Sequence, residues 1–88
     1  MKRAKTSLRD LLNVTPEERA EARLSLQISN RLDFLMHENG LTKKQLADAI
    51  GKRPSEITRW LSGQHNFTIS TLAMLSTFFG QPIITVGH

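Results

Sequence analysis

An all-α bundle of four to five helices, with an N-terminal helical extension and a short C-terminal strand, is the fold this sequence predicts. Three observations predict it. Gly40, Gly51, Gly63 and Gly80 each follow a segment whose apolar residues recur at helical spacing, so they read as four successive stops. Thr15 with Glu18, and Thr42 with Gln45, have the spacing of capping boxes, in which hydroxyl and carboxylate or amide satisfy unpaired backbone donors at a helix start. Finally, 88 residues with 39% apolar content make one modest core and one domain, near the size at which dimerisation becomes common.

In chain order, residues 1–14 form a basic arm. Its first seven residues are polar, and Leu8, Leu11 and Leu12 share a helical face that could dock a short turn on the body. Thr15-Pro16-Glu17-Glu18 starts a helix, with proline at the first helical position where its missing N–H costs nothing. The pattern runs to about Glu38 and stops at Asn39-Gly40, a length of about 36 Å at the α-helical rise. Its first half, EERAEAR, is nearly all polar or alanine and is expected to project from the core or pack on a partner. The second half carries Leu24, Ile28, Leu32 and Leu35 as an apolar stripe.

The most informative stretch is Leu41 to Gly63, two short helices joined at Gly51. Leu46, Ala47 and Ile50 fall on one face of the first. The second starts near Pro54, and Ile57, Trp60 and Leu61 form its inner face. Ser55, Glu56, Thr58, Arg59 and Ser62 must then point outward. A helix of this size with a polar outer face fits the DNA major groove.

After a loop over Gln64-His65-Asn66, Phe67 and Leu72 flank Thr68 as a hydrophobic staple around an N-cap. The next helix uses Leu72, Leu75, Phe78 and Phe79 and stops at Gly80. Ile83 to Val86 is β-branched and too short to stand alone, which predicts a strand that pairs across a two-fold axis or on a partner. The division is thus an arm over 1–14, a body over 15–80 and a strand or tail over 81–88.

Charge sits where a phosphate-facing surface would need it. Lys2, Arg3, Lys5 and Arg9 against Asp10 leave the arm at +3, and Lys43, Lys44, Lys52, Arg53 and Arg59 against Asp48 and Glu56 leave the two-helix unit at +3. Residues 15–40 carry a net −2, and residues 64–88 carry no formal charge with histidine neutral. The competing reading of these cations is a solvated surface. There is no cysteine, and His37, His65 and His88 lack metal-ligand spacing, so no metal site or cofactor is expected. No nucleophile–base pair or glycine-rich phosphate loop is apparent, and no enzymatic activity is expected. No apolar run approaches the ~20 residues that span a bilayer, and the basic start lacks a signal peptide's apolar segment, so the expectation is a cytoplasmic protein without membrane contact.

The stretch Leu41 to Gly63 resembles the helix-turn-helix of the Xre family, the Cro and phage-repressor-like regulators. The matching residues are Leu46, Ala47, Gly51, Ile57, Leu61 and Gly63, followed by Asn66 and Thr68-Ile69-Ser70-Thr71-Leu72. The likeness covers residues 24–80. In detail, GKRPSEITRWLSGQHNFTISTL is most similar to HigA-type antitoxins. The resemblance implies a lambda-repressor-like bundle that binds double-stranded DNA. It places base readout at Arg53, Ser55, Thr58 and Arg59, and phosphate contacts at Thr42, Lys43, Lys44, Asn66 and Thr68.

Two positions depart from the family pattern. Lys52 stands where the family is usually apolar, and it would reach toward the DNA backbone. Arg53-Pro54 replaces the usual small polar cap, and Pro54 has no N–H to offer a base or phosphate.

Arg59 is the leading candidate for base readout, because a guanidinium can bond guanine O6 and N7 together. The alternative is a surface ion pair with Glu56 or Asp48. Ser55 could bond a base edge or phosphate, or simply support the first helical turn. Glu56, Asp33 and Glu38 read as solvated, Trp60 as core, and His65 as surface. The function this supports is a sequence-specific regulator, a repressor acting as a homodimer. The alternative is an antitoxin that binds a toxin protein and represses its own operon. RNA binding is disfavoured, since the second motif helix offers no aromatic platform for unstacked bases.

Overall fold

A computed structural model describes residues 14–84. Within them the chain folds into four helices: α1 (Pro16–Glu38), α2 (Lys43–Ile50), α3 (Pro54–Trp60) and α4 (Ile69–Phe79). The basic arm with Leu8, Leu11 and Leu12, and the C-terminal Val86, lie outside the described residues.

Local chemistry sets the boundaries. Thr15 Oγ1 accepts from Glu18 N–H at 3.0 Å while Glu18 Oε1 accepts from Thr15 N–H at 3.0 Å. Thr42 and Gln45 repeat the reciprocal pair at 3.1 and 2.9 Å. Thr68 caps α4 by accepting from Thr71 N–H at 3.1 Å. At the far end of α1, Leu41 N–H bonds the Met36 carbonyl at 2.9 Å and Gly40 N–H bonds that of His37 at 3.1 Å, a Schellman closure. Gly51 ends α2 at φ 73°, a left-handed conformation that side chains with a Cβ resist, and so reverses the chain between the two motif helices.

The core is built from the second half of α1 and the inner faces of the other helices. Leu32, Leu35, Leu46, Ile57 and Leu75 are fully buried, with Ile28, Met36, Ala47 and Trp60 beside them. Leu41, Ile50, Leu61, Phe67, Leu72, Met74 and Phe79 seal its edge. Trp60 belongs to this core, as its inner-face position predicted.

The first half of α1 leaves the core, and every residue from Pro16 to Leu24 is exposed. Ile28, Leu32 and Leu35 of the expected apolar stripe are buried, and only its first member is not. Leu24 is 45% exposed, and Ser25 takes the buried place at the stripe's start. The buried line runs Ser25, Ile28, Ser29, Leu32, Leu35, Met36, so its upper end is polar where it leaves the core. In α4, Leu75 is buried, but Phe78 is 39% exposed and rests edge-on against Phe79 at 5.0 Å.

The expected C-terminal strand over Ile83 to Val86 is not seen in its first two residues, and Thr85 and Val86 lie outside the described residues. Among the described residues there is no strand, and Ile83 is a core residue, 4% exposed, within its own chain. After Gly80 the backbone folds back, with Ile83 N–H donating to Ser76 Oγ at 3.1 Å. Arg31 on α1 holds the segment from the other side, donating to the Pro82 carbonyl at 3.1 Å and to Gln81 Oε1 at 3.2 Å. Burial of an isoleucine in the nearest core competes successfully with an isolated ladder, which a segment this short cannot stabilise alone.

Candidate nucleic-acid interface

α2 and α3 pack against one another across the Gly51 turn. Leu46 and Ala47 of α2 and Ile57 and Trp60 of α3 share the core, so each helix turns its polar face outward. On α3, Ser55, Thr58 and Arg59 are exposed and spaced i, i+3, i+4, which puts them on one helical face. Arg53 precedes that face as the N-cap, extended at φ −99°, ψ 148°, and makes no side-chain capping bond. Three of the four residues proposed for base readout therefore share one exposed face of α3, and the fourth, Arg53, is exposed just before Pro54 opens the helix.

The phosphate candidates divide. Lys43, Lys44 and Lys52 are all exposed around the two ends of α2. Lys44 Nζ lies 3.0 Å from Asp48 Oδ2, one turn along the helix. Arg59 makes no ion pair with Glu56 or Asp48 among the described residues, and Asp48's carboxylate faces Lys44 instead. Asn66 and Thr68 flank Phe67 in the exposed loop before α4. The two threonine hydroxyls differ. Thr42 Oγ1 accepts its capping bond with its proton uncommitted among the described residues, whereas Thr68 Oγ1 also donates to Thr71 Oγ1 at 3.0 Å.

His65 is half-buried, and its placement departs from the solvated loop the sequence suggests. Its ring meets Phe67 edge-on at 4.8 Å and tilts toward Trp60 at 6.4 Å, forming an aromatic cluster behind the exit of α3. Ile69, the first residue of α4, is 81% exposed beside Thr68.

Sequence reasoning missed Ser29. Only 2% exposed, it donates from Oγ to the Trp60 carbonyl at 2.6 Å and accepts from Gly63 N–H at 3.1 Å. Gly63 takes φ 85°, and a Cβ there would stand 3.1 Å from Leu26 Cδ1, so the turn leaving α3 runs close against α1. A serine within a leucine stripe carries no motif. Its one readable signal is a polar residue at a buried helical phase, which demands a partner.

Two helices at a tight turn, the second presenting an exposed polar face, define a DNA-binding helix-turn-helix module. A helix-turn-helix family model matches residues 34–85, more than half of the chain. The chain belongs to the helix-turn-helix family of Cro and phage-repressor type. The match starts in the second half of α1, so the projecting half lies before it. No curated protein and no solved structure matches the chain. Among the described residues no helix is long and apolar enough to cross a membrane, and no three metal-ligating side chains converge.

Proposed function

We propose that this protein is a sequence-specific transcriptional regulator, a repressor that binds double-stranded DNA as a homodimer with α3 in the major groove. The observation that carries the reading is the outer face of α3: Ser55, Thr58 and Arg59 stand exposed on a helix whose opposite face is anchored by Ile57 and Trp60. Such a face delivers hydrogen-bonding side chains to base edges without reorganising the core. Arg59 takes the role of reader, with Arg53, Ser55 and Thr58 beside it. Lys43, Lys44, Lys52, Thr42, Asn66 and Thr68 position the helix through phosphates. The module works by binding and has no catalytic part. Repression follows when the bound dimer covers a promoter.

Selection from a random duplex library with the full chain tests this reading. A single motif should emerge, arranged as two inverted half-sites about one helical turn (~34 Å) apart. A pool that stays random through selection at physiological salt would reject sequence-specific binding, and a motif without two-fold symmetry would reject the dimer.

A second reading, an antitoxin, is favoured by the exposed first half of α1. Together with residues 63–66 it borders an open groove of about 330 Å³ lined by Glu18, Glu21, Ser25 and Asn66, with acidic groups suited to a basic partner. A small basic protein encoded next to this gene that co-purifies with the chain would favour this reading. An isolated regulator gene would favour the first.

A further inference from the structure

We infer that Ser29 is the positioning residue for α3. Its buried hydroxyl bridges both sides of the turn leaving that helix and sets the angle at which Ser55, Thr58 and Arg59 meet DNA. The inference rests on the DNA-binding reading above and adds a residue outside the family match, on a helix that carries none of the proposed contacts.

α3 has seven residues, about two turns, too few to be stable or to orient itself alone. Its start is weakly held, because Arg53 makes no side-chain capping bond. Burial of Ile57 and Trp60 fixes α3 to the core, but apolar contact is non-directional and leaves rotation about the contact soft. Hydrogen bonds are directional, and Ser29 supplies two of them at the helix's exit.

A serine hydroxyl has one proton and two lone pairs. Here the proton goes to the Trp60 carbonyl at 2.6 Å and one lone pair takes the Gly63 N–H at 3.1 Å. Trp60 and Gly63 stand on either side of the Leu61-Ser62 turn, so one side-chain atom clamps both ends of it. Among the described residues the other side-chain hydrogen bonds that span more than four positions are those of Arg31 to Gln81 and Pro82 and that of Ser76 with Ile83, and none of them holds α3. Arg59 immediately precedes Trp60. A guanidinium that must meet two acceptors in one plane tolerates only about 10–20° of misalignment, so a loosened exit turn is felt first in base readout. Phosphate contacts made by flexible lysines tolerate it far better.

The test uses the full chain and two duplexes, the motif selected with the unaltered protein and a scrambled control. Binding is measured at a temperature where near-ultraviolet circular dichroism shows each variant folded. Ser29→Ala should weaken binding to the selected duplex about five-fold or more, as the binding-competent orientation of α3 becomes a minor population, with the scrambled duplex changed less than about two-fold. Ser29→Thr, which keeps the hydroxyl, should restore the ratio. Ser29→Cys, similar in volume but a weak hydrogen-bonding group, should fall between, and it replaces Ser29→Ala if that variant does not fold.

A variant that melts earlier yet keeps the wild-type ratio of affinities makes Ser29 purely structural and overturns the inference. Equal losses on both duplexes overturn it too. If the unaltered chain itself shows no preference for any duplex, the DNA-binding reading falls first and Ser29's role falls with it.

Discussion

The ammonium of Lys44 stands 3.0 Å from the carboxylate of Asp48, one helical turn along α2, and both side chains are mostly exposed. An exposed pair of this kind contributes at most a few tenths of a kcal/mol to stability. Its consequence is for binding: Asp48 places a negative charge beside a cation proposed for phosphate and holds that cation to the helix. Asp48→Asn should therefore strengthen binding to selected and scrambled duplexes alike. Its melting temperature should stay within about 2 °C of wild type, since the stability change is small. Titration of both duplexes at several salt concentrations checks this. A gain confined to the selected duplex would place Asp48 near bases instead.

Ile83 carries a different expectation now that it lies in the chain's own core rather than in an intermolecular strand. Ile83→Ala should cost about 2–4 kcal/mol of folding stability, as for a buried aliphatic truncation. Arg31→Ala, which frees the Pro82 carbonyl and Gln81, should cost about 1 kcal/mol, because both of its hydrogen bonds are exposed. Urea unfolding of the two variants measures both effects. Removing residues 82–88 should accordingly lower stability by at least the Ile83→Ala amount, whatever it does to association. Unchanged stability of that truncation would show that the fold does not depend on Ile83.

How legible each part was follows from the range of the interaction behind it. Capping boxes at Thr15 and Thr42, the cap at Thr68 and the stop at Gly51 are bonds between residues a few positions apart, and all were readable. So was the outer face of α3, because burial of Ile57 and Trp60 dictates it through helical phase. Features made by distant residues were not readable. Leu24 and Phe78 have the apolar character of core positions, but the helices reach past the core there. Ser29 pairs with Trp60 across thirty-one positions, and Ile83 finds Ser76 only because Gly80 turns the chain back. The aromatic contact of His65 depends on where the loop puts Phe67, which no local pattern encodes.

The two capping threonines should separate in function. Both accept a backbone N–H, so Thr42→Ala and Thr68→Ala should each cost about 1 kcal/mol of stability. Only Thr42 retains an uncommitted proton to give a phosphate, since Thr68 donates to Thr71. Thr42→Ala should then weaken DNA binding by about 1 kcal/mol more than Thr68→Ala, the value of one hydrogen bond. Thermal melts paired with DNA titrations on the same samples make the comparison. Greater damage to DNA binding from Thr68→Ala would mean that Thr68 breaks its bond to Thr71 to reach the phosphate.

Reading and positioning are separated most directly by Arg59 and Lys44. Arg59 sits on the exposed face of α3, makes no ion pair with Glu56 or Asp48 among the described residues, and has a planar fork suited to guanine. Lys44 lies in the first turn of α2, where a flexible point charge suits phosphate. Arg59→Ala should lose about 1–3 kcal/mol on the selected duplex and much less on the scrambled one, with preference relaxing at one base pair in each half-site. Lys44→Ala should weaken both duplexes equally. It should also flatten the dependence of log affinity on log salt by about 0.9, one phosphate's share. Both variants remove exposed side chains, so each should fold as the wild type does and the binding changes need no correction for stability. Equal losses on the two duplexes for Arg59→Ala would assign Arg59 to phosphate, and base readout would pass to Arg53, Ser55 and Thr58.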